Sequence, residues 1–242
     1  NAMAATRVAP GYGSNVIINA GTSNSKFNYW LGADHKIYYT NNHGGYDYFI
    51  TKLGTFLDVK NYMSLGGTGD DVANDIVETP EGDYVIAGHS NSTDGDRSIN
   101  HGANNDFWIT KISMIGGIGN RDAAKLLWQK SFGGSGDDRA NALLKTSDGG
   151  FVVAGTSNSL DGDVTGNHGS YDFWIIKIDK DGNLIWQKSL GGSAVDSAIS
   201  IEQSYDGGYL VVGATNSNNN GDVIGNHGGY DYWLTKIDLN GN

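Results

Sequence analysis

Three kinds of polar string recur along this 242-residue sequence at spacings that suit chemistry. The first is His-Gly-x-x-Asp, present as His43/Asp47, His168/Asp172 and His227/Asp231, with one extra residue in His101/Asp106. A histidine held against a carboxylate is the arrangement of a general base. No Ser or Cys nucleophile recurs beside it, and the chain has no cysteine at all. Four equivalent catalytic dyads in one chain make a poor enzyme, so a hydrogen bond tying each loop to its following strand is the better reading. Zn²⁺ would need all four histidines to point at one axis.

The second string is Asp94-Gly-Asp96 with Asn100-His101, repeated as Asp161-Gly-Asp163 with Asn167-His168 and as Asn220-Gly-Asp222 with Asn226-His227. Closely spaced Asp and Asn oxygens in a Gly-containing loop suit Ca²⁺, which takes roughly six to eight oxygen ligands. Asp94, Asp96, Asp161, Asp163 and Asp222 are therefore candidate metal ligands. No Glu follows at the position an EF-hand requires, and the rival reading is that these side chains cap their own turns. The third string is an acidic turn: Asp70-Asp71, Asp137-Asp138 and Asp196. Carboxylates gathered at one mouth would attract a cation or a cationic ligand; solvated caps are the alternative. A fourth repeated residue, Lys52, Lys111, Lys177 and Lys236, is expected to extend to a rim and pair with a carboxylate.

These residues sit between segments that repeat just as regularly. Asp172-Phe-Trp-Ile-Ile-Lys-Ile178 has counterparts starting at Asp47, Asp106 and Asp231, about sixty residues apart. Gly150-Phe-Val-Val-Ala-Gly155 has relatives at Asp83–Gly88, Gly208–Gly213 and, less closely, Val16–Gly21. Leu184-Ile-Trp-Gln-Lys-Ser-Leu190 matches Leu126–Phe132 and, weakly, Val59–Leu65, placing Trp186, Trp128 and Tyr62 at equivalent sites. A half-apolar run follows each acidic turn. Every run is short, β-branched and aromatic, and bounded by Gly, Asp, Asn or Ser, which is a strand signature. Asp148-Gly149-Gly150, Asp206-Gly207-Gly208 and Asp181-Gly182-Asn183 supply the positive φ angles of tight hairpins.

The unit is thus four antiparallel strands in about sixty residues, four times over: the blade pattern of a β-propeller. The runs Phe151–Ala154 and Trp174–Ile176 are apolar at successive positions, as strands covered on both faces must be. The expected fold is all-β, one four-bladed propeller domain over residues 1–242, with Asn1-Ala2-Met3 reading as an expression-tag remnant. In such a blade the first strand lines the axis, so the acidic turns would ring one channel mouth. Residues 4–10 form the first strand of the first blade. The last blade lacks a Trp-Gln-Lys-Ser strand, and a closed ring is favoured over an open fragment because free strand edges are sticky.

The strings Gly133-Gly-Ser-Gly-Asp-Asp138, Asp148-Gly-Gly-Phe-Val-Val-Ala-Gly-Thr-Ser-Asn-Ser159 and Asp172–Ile178 resemble the tandem β-propeller repeats of exported and surface bacterial proteins. The resemblance covers nearly the whole chain. It implies a propeller and export, but no particular activity.

Net charge is −11, which disfavours duplex DNA and anionic membranes as partners. No apolar run approaches the roughly 20 residues of a membrane helix. Two inserts break the repeat, residues 26–40 and 113–124. The first carries Phe27, Tyr29, Trp30, Tyr38 and Tyr39, aromatic residues suited to stacking on a sugar or anchoring a protein contact. The sequence reading is a non-catalytic binding or scaffold module for protein or glycan. Its rivals are a propeller-based glycan hydrolase or lyase, which needs a non-repeated carboxylate pair, and a purely structural repeat.

Overall fold

The computed structural model describes residues 6–7, 17–24, 27–31, 37–54, 59–97, 100–115 and 124–242. All regular structure among them is β-strand: β1 (Thr6–Arg7), β2 (Ile17–Ser23), β3 (Phe27–Leu31), β4 (Ile37–Asn41), β5 (Asp47–Leu53), β6 (Val59–Leu65), β7 (Asp71–Glu78), β8 (Tyr84–Ser90), β9 (Asp106–Ser113), β10 (Lys125–Phe132), β11 (Asp138–Lys145), β12 (Phe151–Ser157), β13 (Asp172–Ile178), β14 (Leu184–Leu190), β15 (Asp196–Gln203), β16 (Tyr209–Thr215) and β17 (Asp231–Ile237). They form three four-stranded sheets, β1-β2-β5-β6, β10-β9-β8-β7 and β11-β12-β13-β14, a three-stranded sheet β15-β16-β17, and a hairpin β3-β4. Each repeated string has become a strand, and each copy of the unit a sheet.

The local reasons are those of the hairpins. Gly149, Gly182 and Gly207 adopt φ of 85°, 80° and 91° between consecutive strands. In the first of these turns the Thr146 N–H donates to Gly150 O at 3.0 Å and the Gly149 N–H to Thr146 O at 3.0 Å. The repeat extends to irregularities. A bulge interrupts the first pairing of three sheets at the same place, between Ala73 and Asp75, Ala140 and Ala142, and Ala198 and Ser200.

The chain divides into two compact units, residues 1–100 with 109–130, and residues 101–108 with 131–242. In the first unit β2 and β5 lie against β7, with Ile18, Ala20, Tyr48 and Ile50 buried. In the second, β12 and β13 are buried at every residue. Val152, Ala154, Phe173 and Ile175 pack on Ala198, Ile201, Tyr209 and Val211, flanked by Trp186 and Trp233. Two tilted ring contacts recur, Phe107 on Trp174 at 4.5 Å and Phe173 on Trp233 at 4.7 Å. Each such ring contributes about 1.5–3 kcal/mol through burial and about 0.5–1.5 kcal/mol more from aromatic geometry.

The last sheet departs from the expectation of strands covered on both faces. β17 alternates between exposed and half-buried residues up to Ile237. It is also three-stranded, while Thr6–Arg7 pair with β2 as the outer strand of the first sheet, the place expected of the first blade's first strand.

Candidate functional site

The acidic turns, the His-Asp strings and the Asp-Gly-Asp loops converge, copy by copy, into one kind of polar cluster. The pair Asp172 and Asp196 shows its construction. Each is the first residue of a strand and wholly buried. Asp172 Oδ2 accepts the His168 N–H at 2.9 Å and lies 2.8 Å from His168 Nδ1. Asp196 Oδ2 accepts the Gly192 N–H at 2.7 Å and the Ser217 hydroxyl at 2.8 Å. The remaining oxygen, Oδ1, of each is buried without a hydrogen bond. The two carboxylates meet at Gly191: a Cβ there would lie 2.6 Å from Asp172 Oδ1 and 2.7 Å from Asp196 Oδ2. Only glycine fits between them.

The same arrangement is built from Asp47, Asp71 and Gly66, and again from Asp106, Asp138 and Gly133. Asp71 Oδ2 accepts from the Gly67 N–H and the Ser92 hydroxyl at 2.9 and 2.8 Å. Asp138 Oδ2 does so from Gly134 and Ser159 at the same distances. Burial pushes the Asp172 carboxyl up from its ordinary value of 3.8, the His168 donors oppose that shift, and the charge of Asp196 adds to it. Burial likewise raises Asp47, Asp71 and Asp138. A carboxylate taken out of water binds its proton more tightly.

The expectation of solvated acidic caps therefore divides. Asp70 is exposed and accepts the Tyr46 N–H at 3.0 Å. Asp137 is half-buried, accepting from Asn105 Nδ2 at 2.6 Å and the Tyr171 hydroxyl at 3.1 Å, with Arg139 Nε 2.9 Å away. Asp71, Asp138 and Asp196 instead lie inside the fold with no exposed surface, so they are corrected from ligand-facing carboxylates to internal ones. The reason is strand phase: they share a face with the inward-pointing Ala73, Ala140 and Ala198.

The Asp-Gly-Asp loops cap amides, and not those of their own turn alone. Asp94 Oδ1 accepts the Thr68 N–H at 2.7 Å and Asp96 Oδ2 the Gly66 N–H at 3.1 Å. Asp161 and Asp163 accept from Ser135 and Gly133 at 2.6 and 3.2 Å, and Asn220 and Asp222 from Ser193 and Gly191 at 2.6 and 3.2 Å. Each loop thus reaches back to the Gly-Gly turn preceding its own sheet's first strand. Among the described residues, no three acidic or histidine side chains group as a metal site. The histidines join successive copies. His168 Nε2 lies 3.8 Å from Asp222, and His101 Nε2 lies 3.7 Å from Asp163.

The repeated lysines behave as expected of paired cations in three copies. Lys177 is almost wholly buried and donates to Asp148 Oδ1 at 2.8 Å, Lys111 lies 3.6 Å from Asp83, and Lys236 pairs with Asp206. Lys52 donates to Met114 O at 3.1 Å. Burial alone would raise the Asp148 carboxyl, but the hydrogen bonds from Lys177 and Thr146 outweigh it and hold it at about 2.

A shallow recess of about 420 Å³ is lined by Asp206, Lys236, Asp238 and Leu239. Its polar members are copies: Asp206 and Lys236 repeat Asp148 and Lys177, and Asp238 caps the Asn240 and Asn242 N–H groups as Asp179 caps those of Asp181 and Asn183. The aromatic insert forms the β3-β4 hairpin, with Tyr29 opposite Tyr39 and Trp30 opposite Tyr38; Phe27 pairs with Asn41 at its base. Residues 116–123 of the second insert lie outside the described residues. Sequence reasoning missed the Ser92, Ser159 and Ser217 hydroxyls, although their recurrence in the Ser-Asn-Ser and Thr-Asn-Ser strings was the available signal.

No protein-family model matches the chain, and no curated protein matches it.

Proposed function

We propose that the four sheets are blades of a propeller and that the chain is a non-catalytic binding or scaffold module of an exported bacterial protein. It contacts protein or glycan through the parts that depart from the repeat. One observation carries this reading: each polar constellation with the spacing of a catalytic or metal site recurs in equivalent copies and is occupied in holding loop to strand or sheet to sheet. An enzyme of the glycan-cleaving kind needs two carboxylates of different environment facing a substrate. The carboxylates that meet here do so in three equivalent pairs, buried on both sides of a glycine. The recess at Asp206 and Lys236 repeats the pattern of the preceding copy and so fails the same criterion.

Among the described residues, the β3-β4 hairpin has no counterpart in the other copies. Its sequence concentrates Phe27, Tyr29, Trp30, Tyr38 and Tyr39 in fifteen residues, and aromatic residues of this kind anchor interfaces and stack on sugars. A glycan array and a pull-down, each run with the wild type and with a Tyr29→Ala/Trp30→Ala/Tyr39→Ala variant, test the reading. The expected result is a ligand whose affinity falls roughly tenfold or more, about 1.4 kcal/mol, in the variant. A ligand bound equally by both proteins would remove the hairpin from the site. Turnover of any glycan by the wild type would overturn the non-catalytic reading.

A further inference from the structure

Asn220 stands where two other copies of the repeat carry aspartate. The loops read Asp94-Gly95-Asp96 and Asp161-Gly162-Asp163, but Asn220-Gly221-Asp222. Their geometry is nonetheless the same. Asp94 Oδ1 accepts the Thr68 N–H at 2.7 Å, Asp161 Oδ1 the Ser135 N–H at 2.6 Å, and Asn220 Oδ1 the Ser193 N–H at 2.6 Å. All three residues are exposed, so the exposure of Asn220 belongs to the loop position in each copy. An N–H donor is held more strongly by a charged oxygen than by a neutral one, and only Asn220 offers the neutral one.

A side chain has no room at the next position. Gly95, Gly162 and Gly221 have φ of 71°, 66° and 59°, and a Cβ on Gly221 would lie 2.2 Å from Gly191 O. The fold thus requires an asparagine here to be followed by glycine. In that dipeptide the backbone attacks the side-chain amide most readily, because nothing shields the glycine nitrogen. The nitrogen is also unengaged. The Gly221 N–H makes no hydrogen bond among the described residues, whereas the Asp222 and Val223 N–H groups donate to Gly191 O and Asn220 O at 2.8 and 3.2 Å. The Ser193 N–H meanwhile sits on the amide oxygen that gains negative charge as the nitrogen adds, which is the placement of an oxyanion donor.

We propose that Asn220-Gly221 is a self-modifying site that converts residue 220 to aspartate, with water as the only co-reactant. The Gly221 nitrogen gives its proton to solvent base and bonds to Asn220 Cγ. The Cγ–Nδ2 bond breaks and ammonia leaves, closing a five-membered succinimide. Water then adds at Cγ: its hydroxyl stays on that carbon, the Cγ–N bond of the ring breaks, and the Gly221 nitrogen takes the proton. The product is the Asp-Gly-Asp loop of the other copies, with a carboxylate on the Ser193 N–H. Water adding at the main-chain carbonyl of residue 220 gives the isoaspartyl linkage instead. That linkage lengthens the backbone by one carbon where Gly221 is wedged against Gly191 O and Gly192 Cα, so the folded loop favours the aspartyl product. Conversion adds one negative charge to a chain that already carries −11.

The test uses the wild-type chain, aged in mildly alkaline buffer and mapped by peptide mass spectrometry. The expected result is the mass gain of an amide-to-acid exchange at residue 220, well ahead of Asn218, Asn219 and Asn226, whose successors all carry side chains. A protease that cuts before aspartate but not before isoaspartate should cleave the aged folded protein at position 220. Protein aged in urea should give mainly the uncleaved isoaspartyl form. Asn220→Asp should co-elute with the aged wild type on ion exchange and melt no lower than fresh protein, and Asn220→Gln should stay unmodified. An unchanged mass at residue 220 would overturn the proposal. So would an equal gain at the other three asparagines, an isoaspartyl product dominating in the folded protein, or a lower melting temperature in Asn220→Asp.

Discussion

β13 and β17 are two copies of one string, Asp172–Ile178 and Asp231–Ile237, and they form the same strand with the same pairing to the hairpin partner before them. They differ in what covers them. β13 is buried at each residue; β17 exposes every second one from Tyr232 to Lys236. Strand formation in this repeat is thus a property of the hairpin and its β-branched and aromatic residues. Burial is contributed by the neighbouring copy, as in repeat proteins whose stability is a sum of units and interfaces.

The contrast can be broken most directly with equivalent truncations. Phe173→Ala empties a packed site and is expected to cost about 3–5 kcal/mol, whereas Tyr232→Ala should stay within about 0.5 kcal/mol. Urea denaturation of the two variants measures both, and equal losses would mean that the β17 face is covered in solution. A smaller difference is expected at the lysines. Lys177→Met should lower stability by about 1 kcal/mol and let Asp148 titrate back toward its ordinary 3.8 from about 2. Lys236→Met should leave the same melting curve nearly unmoved, because that lysine and Asp206 are both exposed. An NMR titration of Asp148 in the Lys177→Met variant reads the shift directly.

The smallest effect is the dependence on pH, which separates the internal carboxylates from the paired ones. Asp47, Asp71, Asp138 and Asp172 have raised native values, so the fold binds their protons more tightly than the unfolded chain. Their contribution makes stability fall as pH rises above 3.8 through those native values. Asp148 and Asp206 are held at about 2, by Lys177 and by Lys236 respectively, and contribute stability that is lost as pH falls from 3.8 toward 2. Thermal melts across this range should pass through a maximum in mildly acid solution. A monotonic rise in stability from acid to neutral pH would contradict the raised values.

Strand positions, hairpin turns and the pairing of Lys111, Lys177 and Lys236 with carboxylates were legible from the repeat, because they follow from local rules applied copy by copy, whereas the burial of Lys177 was not. Which Asp of the acidic turn faces inward is marked in the sequence only by a faint signal: Asp71, Asp138 and Asp196 recur while the residue before them changes from Asp to Val195. The back-reaching bonds of Asp94, Asp161 and Asn220 were out of reach, since they join segments twenty-six or twenty-seven residues apart. The uncovered last face could not be read from β17 itself, whose residues match those of buried β13.

Those back-reaching bonds bear on how the chain comes to be folded. Thr68 waits for Asp94, Ser135 for Asp161 and Ser193 for Asn220, always a partner made shortly afterwards. Closing a segment of that length carries a modest entropy cost that grows only slowly with length. During synthesis each turn can be locked as soon as the next loop has left the ribosome, so the molecule can assemble in the order in which it is translated.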